Sequence, residues 1–269
     1  MAARKPKTIG GRPAPRVVPK SKPAERSVSR ASAARRTVAP RPVRELLREA
    51  LAGLERKSTA HDRQNLARFG ITARHAYGVS MANLKVQAKL MGRNHELALA
   101  LWKTDRYEAR MLATLVDDPA QVTRAQMDGW CRDFDNWAIC DTACFCLFDR
   151  SPHAWEQVTA WSRNRDEFGK RAAFALLASL ALHDKRSPDK PFLAGLRLIE
   201  AAAPDERNFV KKGVNWALRA VGLRNRALHA AALATARRLA DSMNATSRWV
   251  GKGALRELSA AKKLRGLGS

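Results

Sequence analysis

The sequence has few of the features that identify membrane or secreted proteins. No apolar run approaches the roughly 20 residues that a membrane-spanning helix requires. The first residues carry positive charges but no hydrophobic segment after them, so we expect no secretory signal peptide. These absences lead us to expect a soluble intracellular protein.

Cysteine is also scarce, and the four cysteines lie within one short stretch, at Cys131, Cys140, Cys144 and Cys146. A zinc site is one interpretation, but the CxxxC and CxC spacings have no matching His or Cys pair elsewhere. Buried thiols in a reducing compartment fit the pattern better. We therefore predict neither a metal ion nor a cofactor.

Acidic residues are few: 25 Asp and Glu stand against 50 Lys and Arg, which gives a net charge of +25 and a pI near 11.1. Such a charge indicates a polyanionic partner, because counterions released from a phosphate backbone drive its association with a basic surface. Residues 1–44 contain 13 basic residues and one acid, Glu25, so they account for 12 of the excess charges. The remaining 13 lie on residues 45–269, so the folded part is basic by itself.

Composition divides the chain into two parts. Residues 1–42 contain seven prolines and almost no large apolar side chains, which predicts a disordered basic tail. The tail is either an arm that grips a polyanion or an inert extension. Its Arg- and Ser-rich character loosely resembles an organelle transit peptide, although the prolines argue against an amphipathic helix. Residues 43–269 form the predicted folded domain.

Strand patterns hardly appear in the folded part, whereas helical patterns recur. Starting at Val43, VRELLREALAGL carries a helical apolar stripe, and eleven further segments read as short helices. The helix-breaking sequences between segments are Gly92, Asp117-Asp118-Pro119, Ser151-Pro152, Ser187-Pro188 and Pro204-Asp205. Comparable pairs recur about every 35–45 residues, which is typical of HEAT-like repeats.

We therefore predict an all-α protein, a right-handed α-solenoid of HEAT-like helical repeats with a concave basic face. An irregular helical bundle is the alternative. The solenoid is favoured because no central helix reads as apolar on every face.

One segment, NWAICDTACFCLF, carries a carboxylate that a plain core does not explain. Trp137 and Asp141 are four residues apart and share a helical face. Asp141 interrupts an apolar run, so it needs either a partner or a function. A structural ion pair with Arg171 is one explanation, and a tryptophan on such a helix is often simply part of the core.

Cations accompany aromatic residues in two later helices. Lys170 and Arg171 open one long apolar helix. The pair Lys211-Lys212 precedes Trp216 and Arg219 in another. Interleaved aromatic and basic side chains are typical of nucleic-acid-binding surfaces.

The segments WAICD, KRAAF and KGVNWALR, in this order, resemble the AlkD-type family of HEAT-like alkylpurine DNA glycosylases, and YGVSMANL resembles the family's entry loop and helix. The resemblance covers about residues 45–260. It implies that four residues line a catalytic cleft: Trp137, Asp141, Arg171 and Trp216. One departure is that the family's cleft tyrosine has Phe69 as its nearest counterpart, so a hydroxyl that hydrogen-bonds the DNA backbone is missing.

The resemblance implies hydrolysis of the N-glycosidic bond of cationic alkylated purines, such as 3-methyladenine and 7-methylguanine, in duplex DNA. Asp141 would stabilise the oxocarbenium-like sugar or position the attacking water. Trp137 and Trp216 would hold the sugar and the lesion through their π faces. The resemblance also implies that the nucleotide is held against the concave surface without a pocket for a flipped base.

Arg171 would contact DNA by binding the flanking phosphate, and it is one member of a larger predicted set of DNA-binding residues. The predicted set is Lys170, Arg171, Lys211, Lys212, Arg219 and Phe69.

Two other functional classes remain open. One is a DNA-binding solenoid without catalytic activity, and the other is a helical-repeat scaffold for an acidic protein partner. Salt-sensitive binding to duplex DNA distinguishes DNA binding from the scaffold, and base release distinguishes an enzyme from a binder. We expect a monomer with no obligate protein partner, in the cytoplasm and associated with the nucleoid if bacterial.

Overall fold

The computed structural model describes residues 41–260 apart from residue 74, and within them it contains helices and no strand. The all-helical prediction is confirmed. Apart from Arg41 and Pro42, the tail predicted to be disordered lies outside the described residues, as do residues 261–269. The helices are α1 (Val43–Arg56), α2 (Ala60–Arg68), α3 (Met81–Met91), α4 (His95–Trp102), α5 (Tyr107–Val116), α6 (Arg124–Arg132), α7 (Trp137–Cys146), a 3-10 turn (Phe148–Arg150), α8 (Ala154–Trp161), α9 (Glu167–His183), α10 (Asp189–Ala202), α11 (Asn208–Gly222), α12 (Arg226–Ala240) and α13 (Ala245–Leu258).

Many of these helices begin at a Ser, Thr or Asn whose side chain accepts a hydrogen bond from a backbone N–H of the first turn. Such a cap satisfies one of the donors that the start of a helix leaves unpaired. Asn136, for example, accepts from both Ala138 and Ile139 at 3.0 Å, and so defines the start of α7. The capping residues of this type are Thr59, Ser80, Asn94, Thr123, Asn136, Asn225 and Asn244.

The helices stack in two layers. In one layer α3, α5, α7, α9, α11 and α13 each pack against the next. On its other side, α4 packs against α5, α8 against α9, α10 against α11, and α12 against both α11 and α13. These are stacked helical pairs, so the predicted repeat architecture is confirmed and an irregular bundle is not what forms.

α9 differs from the expectation that no central helix is apolar on every face. It packs against α7, α8 and α11, and every residue from 171 to 181 is buried. Alanine occupies many of these positions, so neighbouring helices pack closely around α9. Arg171 is the charged residue within this buried stretch, and its burial determines the geometry of the site described below.

Several tryptophans have structural roles on the outer side of the stack. The indole N–H groups of Trp102 and Trp161 donate to Asp133 and Asp128, each over 2.8 Å. Trp155 donates in the same way to Asp184 at 3.2 Å. Trp130 stacks on Trp102, with ring centroids 3.9 Å apart. Because these four rings are used in packing, the functional candidates are the remaining tryptophans at 137, 216 and 249.

The loop before α3 is held by a buried carboxylate. Glu108 of α5 is fully buried and accepts hydrogen bonds from the backbone N–H groups of Tyr77, Gly78 and Val79 at 2.7, 2.7 and 3.2 Å. Gly78 has a φ of 82°, and a Cβ atom at this position would lie 2.4 Å from the carbonyl oxygen of Thr59. This loop, the YGVS segment of the sequence, therefore has a fixed position beside α5.

The cysteines are free thiols: Cys131, Cys140 and Cys144 are buried and Cys146 is half-buried. Burial raises the pKa of Cys131, Cys144 and Cys146, so these side chains remain protonated. Among residues 41–260, residue 74 excepted, no group of three or more His, Cys, Asp or Glu is arranged to hold a metal ion. No helix in that part of the chain has the length and apolar character needed to cross a membrane.

Candidate active site

A buried ion pair joins α7 to α9. The Nε and Nη2 atoms of Arg171 donate to the two carboxylate oxygens of Asp141 over 2.8 and 2.7 Å, and Nη1 donates to the carbonyl oxygen of Phe209 over 2.8 Å. The Arg171 residue is only 7% exposed, whereas the Asp141 side chain retains 19% of its exposure. Asp141 is therefore the member of the pair that faces outward.

The two partners change each other's protonation equilibria. Burial raises the pKa of Asp141 above that of an ordinary carboxyl group, while the charge and hydrogen bonds of Arg171 act in the opposite direction. Burial, the largest single influence, would by itself lower the pKa of Arg171, but the charge and the hydrogen bonds of Asp141 together act against it and the pKa lies above its usual value. The bidentate geometry is that of a carboxylate paired with a guanidinium group.

Trp137 is fixed one helical turn before Asp141. Its Nε1 atom donates to the carbonyl oxygen of Phe69 at 2.9 Å, which ties the start of α7 to the end of α2. Phe69 itself is 64% exposed, so its ring lies on the molecular surface while its backbone anchors Trp137.

A cavity of about 370 Å³ lies between α2, α3, α5 and α7, and an adjacent one of about 230 Å³ extends to α11. The larger cavity is lined by Phe69, Trp137 and Asp141, among others. Trp216 lines the smaller one. Asp141 borders both, together with Met81 and Thr142. The structure therefore brings the predicted residues Phe69, Trp137, Asp141 and Trp216 to one groove, which we call the Asp141 groove.

Three of the predicted DNA-binding cations are engaged within the protein. Arg171 is buried against Asp141, so in this geometry it does not reach out towards a phosphate. The Nζ atom of Lys170 lies 2.9 Å from Asp205. Arg219 contacts Glu257 at 3.6 Å and donates to the carbonyl oxygen of Asn215 at 3.3 Å.

The other two predicted cations lie over aromatic rings. Lys211 lies 5.6 Å from the ring centroid of Trp249, which is 47% exposed. Lys212 is exposed and lies 5.8 Å from the ring centroid of Phe209. Neither forms an ion pair with a described residue, so both ammonium groups can bind an anion.

Sequence reasoning missed several residues at the Asp141 groove or, in the case of Lys89, beside it. Lys85 and Lys89 lie one turn apart on α3, are exposed, and form no ion pair within the described part of the chain. Lys85 lines the smaller cavity together with Phe145, whose ring is 37% exposed. Asp62 of α2 lines the larger cavity. The i, i+4 spacing in KVQAK was the available signal for the two lysines, whereas nothing in the sequence indicated Asp62.

Stacked helical pairs of this kind define a HEAT-like helical-repeat protein. Within that class, the family model for DNA alkylation repair enzymes matches residues 50–258, and the chain belongs to this family. The resemblance to the HEAT-like glycosylases noted in the sequence is thereby confirmed.

One solved structure is similar in fold to this chain. It is described as "A new family of proteins related to the HEAT-like repeat DNA glycosylases with affinity for branched DNA structures". The two chains share 20% identity with a TM-score of 0.65, and the alignment covers 78% of this chain and 94% of the other. No curated protein sequence matches this chain.

Proposed function

We propose that this protein is a DNA glycosylase that hydrolyses the N-glycosidic bond of cationic alkylated purines, of the 3-methyladenine and 7-methylguanine type, in duplex DNA. The observation that carries the proposal is the position of Asp141. Its carboxylate is oriented by a buried guanidinium group and opens on a groove that Trp137 and Trp216 also line.

The chemistry needs little acid catalysis. An N3- or N7-alkylated purine is already positively charged, so when the bond to C1′ breaks, the electron pair leaves with the base and neutralises it. The sugar becomes an oxocarbenium ion, which the negative charge of Asp141 stabilises in a site largely shielded from water. Water then adds to C1′ and releases its proton to Asp141 or to solvent, which leaves an abasic site.

Arg171 acts as a positioning residue in this proposal. Two of its nitrogen atoms hold the two oxygens of Asp141, and a third holds the backbone of α11 at Phe209. The carboxylate is therefore fixed before substrate binds, and little reorganisation accompanies the reaction. This role differs from the phosphate contact expected from the sequence.

We assign the phosphate contacts to cations that are not paired within the protein. Lys85 and Lys89 on α3 and Lys211 and Lys212 on α11 meet this condition among the described residues. Lys85 borders the Asp141 groove itself. These side chains would fix the position of the duplex on the protein without reading its sequence.

Incubation of the purified protein with methylated duplex DNA tests the activity. Release of free 7-methylguanine and 3-methyladenine is measured for the wild type and for Asp141→Asn. Asp135→Asn is a matched control, because Asp135 is an exposed carboxylate just before α7 that does not line the Asp141 groove. Release by the wild type and the control, but not by Asp141→Asn, supports the proposal.

A second candidate function is binding of DNA without cleavage, with a preference for branched structures. The similar solved structure is described as having affinity for branched DNA structures, and Phe69 lacks the hydroxyl of the family's cleft tyrosine. Absence of base release, combined with tighter salt-sensitive binding to a four-way junction than to a duplex, would favour this function. Absence of any salt-sensitive DNA binding would favour a protein scaffold instead.

A further inference from the structure

One exposed tryptophan, Trp249 of α13, lies outside the Asp141 groove. Nearly half of its surface is exposed, and its indole N–H has no partner within the described part of the chain. The indole N–H groups of Trp102, Trp155 and Trp161, by contrast, donate to carboxylates in the outer layer. A large ring that the fold itself does not bury is a candidate for contact with a partner, because covering it removes apolar area from water.

Cations surround this ring. Lys211 of α11 lies 5.6 Å from its centroid, and Lys252 and Arg256 follow one and two turns later on the same exposed face of α13. α11 and α13 each contain three Lys or Arg, and their one acid, Glu257, contacts Arg219. The surface of these two helices therefore favours a polyanionic partner over an apolar or a basic one.

The position of the ring is fixed by the packing of α13. The Nδ2 atom of Asn215 in α11 donates to the carbonyl oxygen of Val250 over 2.9 Å, which ties the two helices together directly after Trp249. Arg248, directly before it, donates to two carbonyl oxygens of the loop between α12 and α13 over 2.9 and 2.6 Å. The ring is therefore held in place beside the cations of α11 before any partner binds.

This surface adjoins the Asp141 groove. Lys212 and Trp216 lie one turn apart on α11, and Trp216 lines the smaller cavity of the groove. DNA that occupies the groove and continues towards α13 therefore meets the cations of α11 first and the ring of α13 next. We call this set of residues the Trp249 surface: Lys211, Lys212, Trp249, Lys252 and Arg256.

We propose that the Trp249 surface binds an unpaired DNA strand, with one base stacked on Trp249 and the neighbouring phosphates on the surrounding cations. The side of an intact duplex presents phosphates but no free base face, so it would engage the cations and leave the ring unused. A strand that leaves the duplex, as at a gap, an overhang or a fork, offers both. The proposal rests on the proposed function in that it takes this side of the molecule to face DNA, but it does not depend on base release.

Binding of undamaged DNA tests this inference separately from catalysis. Three DNAs share one duplex sequence: a blunt duplex, a fork with unpaired thymidine arms, and the same fork with arms of tetrahydrofuran abasic residues. The two forks carry the same phosphates, so the ratio of their affinities reports the contribution of the bases alone. We expect the wild type to bind the thymidine fork about 10-fold more tightly than the abasic fork, as measured by fluorescence anisotropy.

Trp249→Leu should abolish this affinity ratio, because leucine keeps an apolar side chain but removes the flat ring. Trp249→Phe should retain part of it. Leu193→Ala is the control, because Leu193 is also an exposed apolar side chain but lies on α10 in the outer layer. Thermal melting identifies any variant that fails to fold, and if Trp249→Leu does, the intermediate ratio expected for Trp249→Phe decides the test.

Lys252→Ala separates the contribution of charge from that of stacking. We expect it to weaken binding to both forks equally, because both carry the same phosphates, and to leave their affinity ratio unchanged. A change in the ratio as large as that of Trp249→Leu would show that the ratio does not report stacking on the ring.

The outcomes separate the inference from the proposed function. Equal wild-type affinity for the two forks overturns the inference, even if the protein releases alkylated bases. A ratio that Trp249→Leu retains overturns it as well, and so does equal weakening of binding to all three DNAs, which would assign the ring to the duplex. A ratio that Trp249→Leu loses, in a protein that releases no base, supports the inference and contradicts the glycosylase.

Discussion

The Asp141–Arg171 pair explains why a carboxylate can stand in an apolar segment of the sequence. Both oxygens of Asp141 accept from Arg171, so the carboxylate is not left unsatisfied by burial. The sequence allowed either a structural ion pair or a functional carboxylate here. The geometry provides the ion pair, and the 19% exposure of the Asp141 side chain leaves the same group accessible to a substrate.

Arg171→Lys should impair both stability and base release. Lysine keeps the positive charge but cannot make the bidentate contact with Asp141 and also donate to Phe209. We expect a loss of about 1–3 kcal/mol in the free energy of unfolding, since buried hydrogen bonds to a charged group are lost. Denaturant unfolding and single-turnover base release measure the two effects.

Lys170→Arg is the control for that change, because the neighbouring Lys170 pairs with Asp205 and does not line the Asp141 groove. If Arg171→Lys released base at the rate of Lys170→Arg, Arg171 would not position the catalytic carboxylate.

The pH dependence of base release should reflect the raised pKa of Asp141. The proposed reaction requires the ionised carboxylate, so base release should be full at neutral pH and should fall as the pH drops through this pKa. Because burial raises the pKa of Asp141, the rate of base release should begin to fall at a higher pH than it would if the catalytic group were an exposed aspartate. A single-turnover pH profile, corrected for spontaneous base loss, measures it, and a flat acid side would contradict the role of Asp141.

Individual helices were predictable wherever an apolar stripe was present. α4 and α5 coincide with the segments HELALALW and YEARMLATLV, and all the breaker sequences fall between helices. α2 was missed, because AHDRQNLAR contributes no buried residue and so has no stripe. Its start follows from the Thr59 cap, which accepts from Asp62 at 3.0 Å.

The candidate site was predictable only where its residues interrupt such an apolar stripe. The Trp137–Asp141 pair is visible as an i, i+4 interruption of an apolar helix, and the resemblance to a known family connected it with Trp216. The cavity was not predictable, because α2 supplies one of its walls and the loop fixed by Glu108 supplies another. The partners of Lys170 and Arg219 were not predictable either, because Asp205 and Glu257 come from other parts of the chain.

The loop before α3 gives a test of how the groove is built. Gly78→Ala should be strongly destabilising, because its φ of 82° is unfavourable for alanine and the added Cβ would lie 2.4 Å from the Thr59 carbonyl oxygen. Gly70→Ala is the matched control, since Gly70 has a φ of 67° but nothing within 4 Å of the added Cβ.

We expect the control to cost about 1 kcal/mol from backbone strain and Gly78→Ala to cost clearly more. Thermal or urea unfolding measures both variants. Equal losses would show that the close approach to Thr59 does not constrain the loop.

The distribution of charge over the molecule also differs from what composition suggests. Of the five cations predicted to bind DNA, Lys170, Arg171 and Arg219 are engaged with acidic partners. The unpaired lysines of α3 and α11 are therefore the better candidates for phosphate contacts.

Lys85→Ala and Lys89→Ala should each weaken binding to undamaged duplex DNA and reduce its dependence on salt. Each lost phosphate contact lowers the slope of log K against log salt by about 0.9. Lys190→Ala on α10 is the control, because this exposed lysine lies on a helix of the outer layer. Fluorescence anisotropy titrations over a range of salt concentrations give the slopes, and slopes that match the control would exclude α3 from the interface.

The most direct test of the central claim is single-turnover release of 7-methylguanine and 3-methyladenine from methylated duplex DNA, with DNA affinity measured in parallel. We predict release by the wild type and by Asp135→Asn, and a rate at least about 100-fold lower for Asp141→Asn at similar affinity, because the charge that stabilises the oxocarbenium ion is gone. Release by Asp141→Asn at the wild-type rate would contradict the catalytic role of Asp141. No release by the wild type, with salt-sensitive DNA binding retained, would contradict the glycosylase function itself.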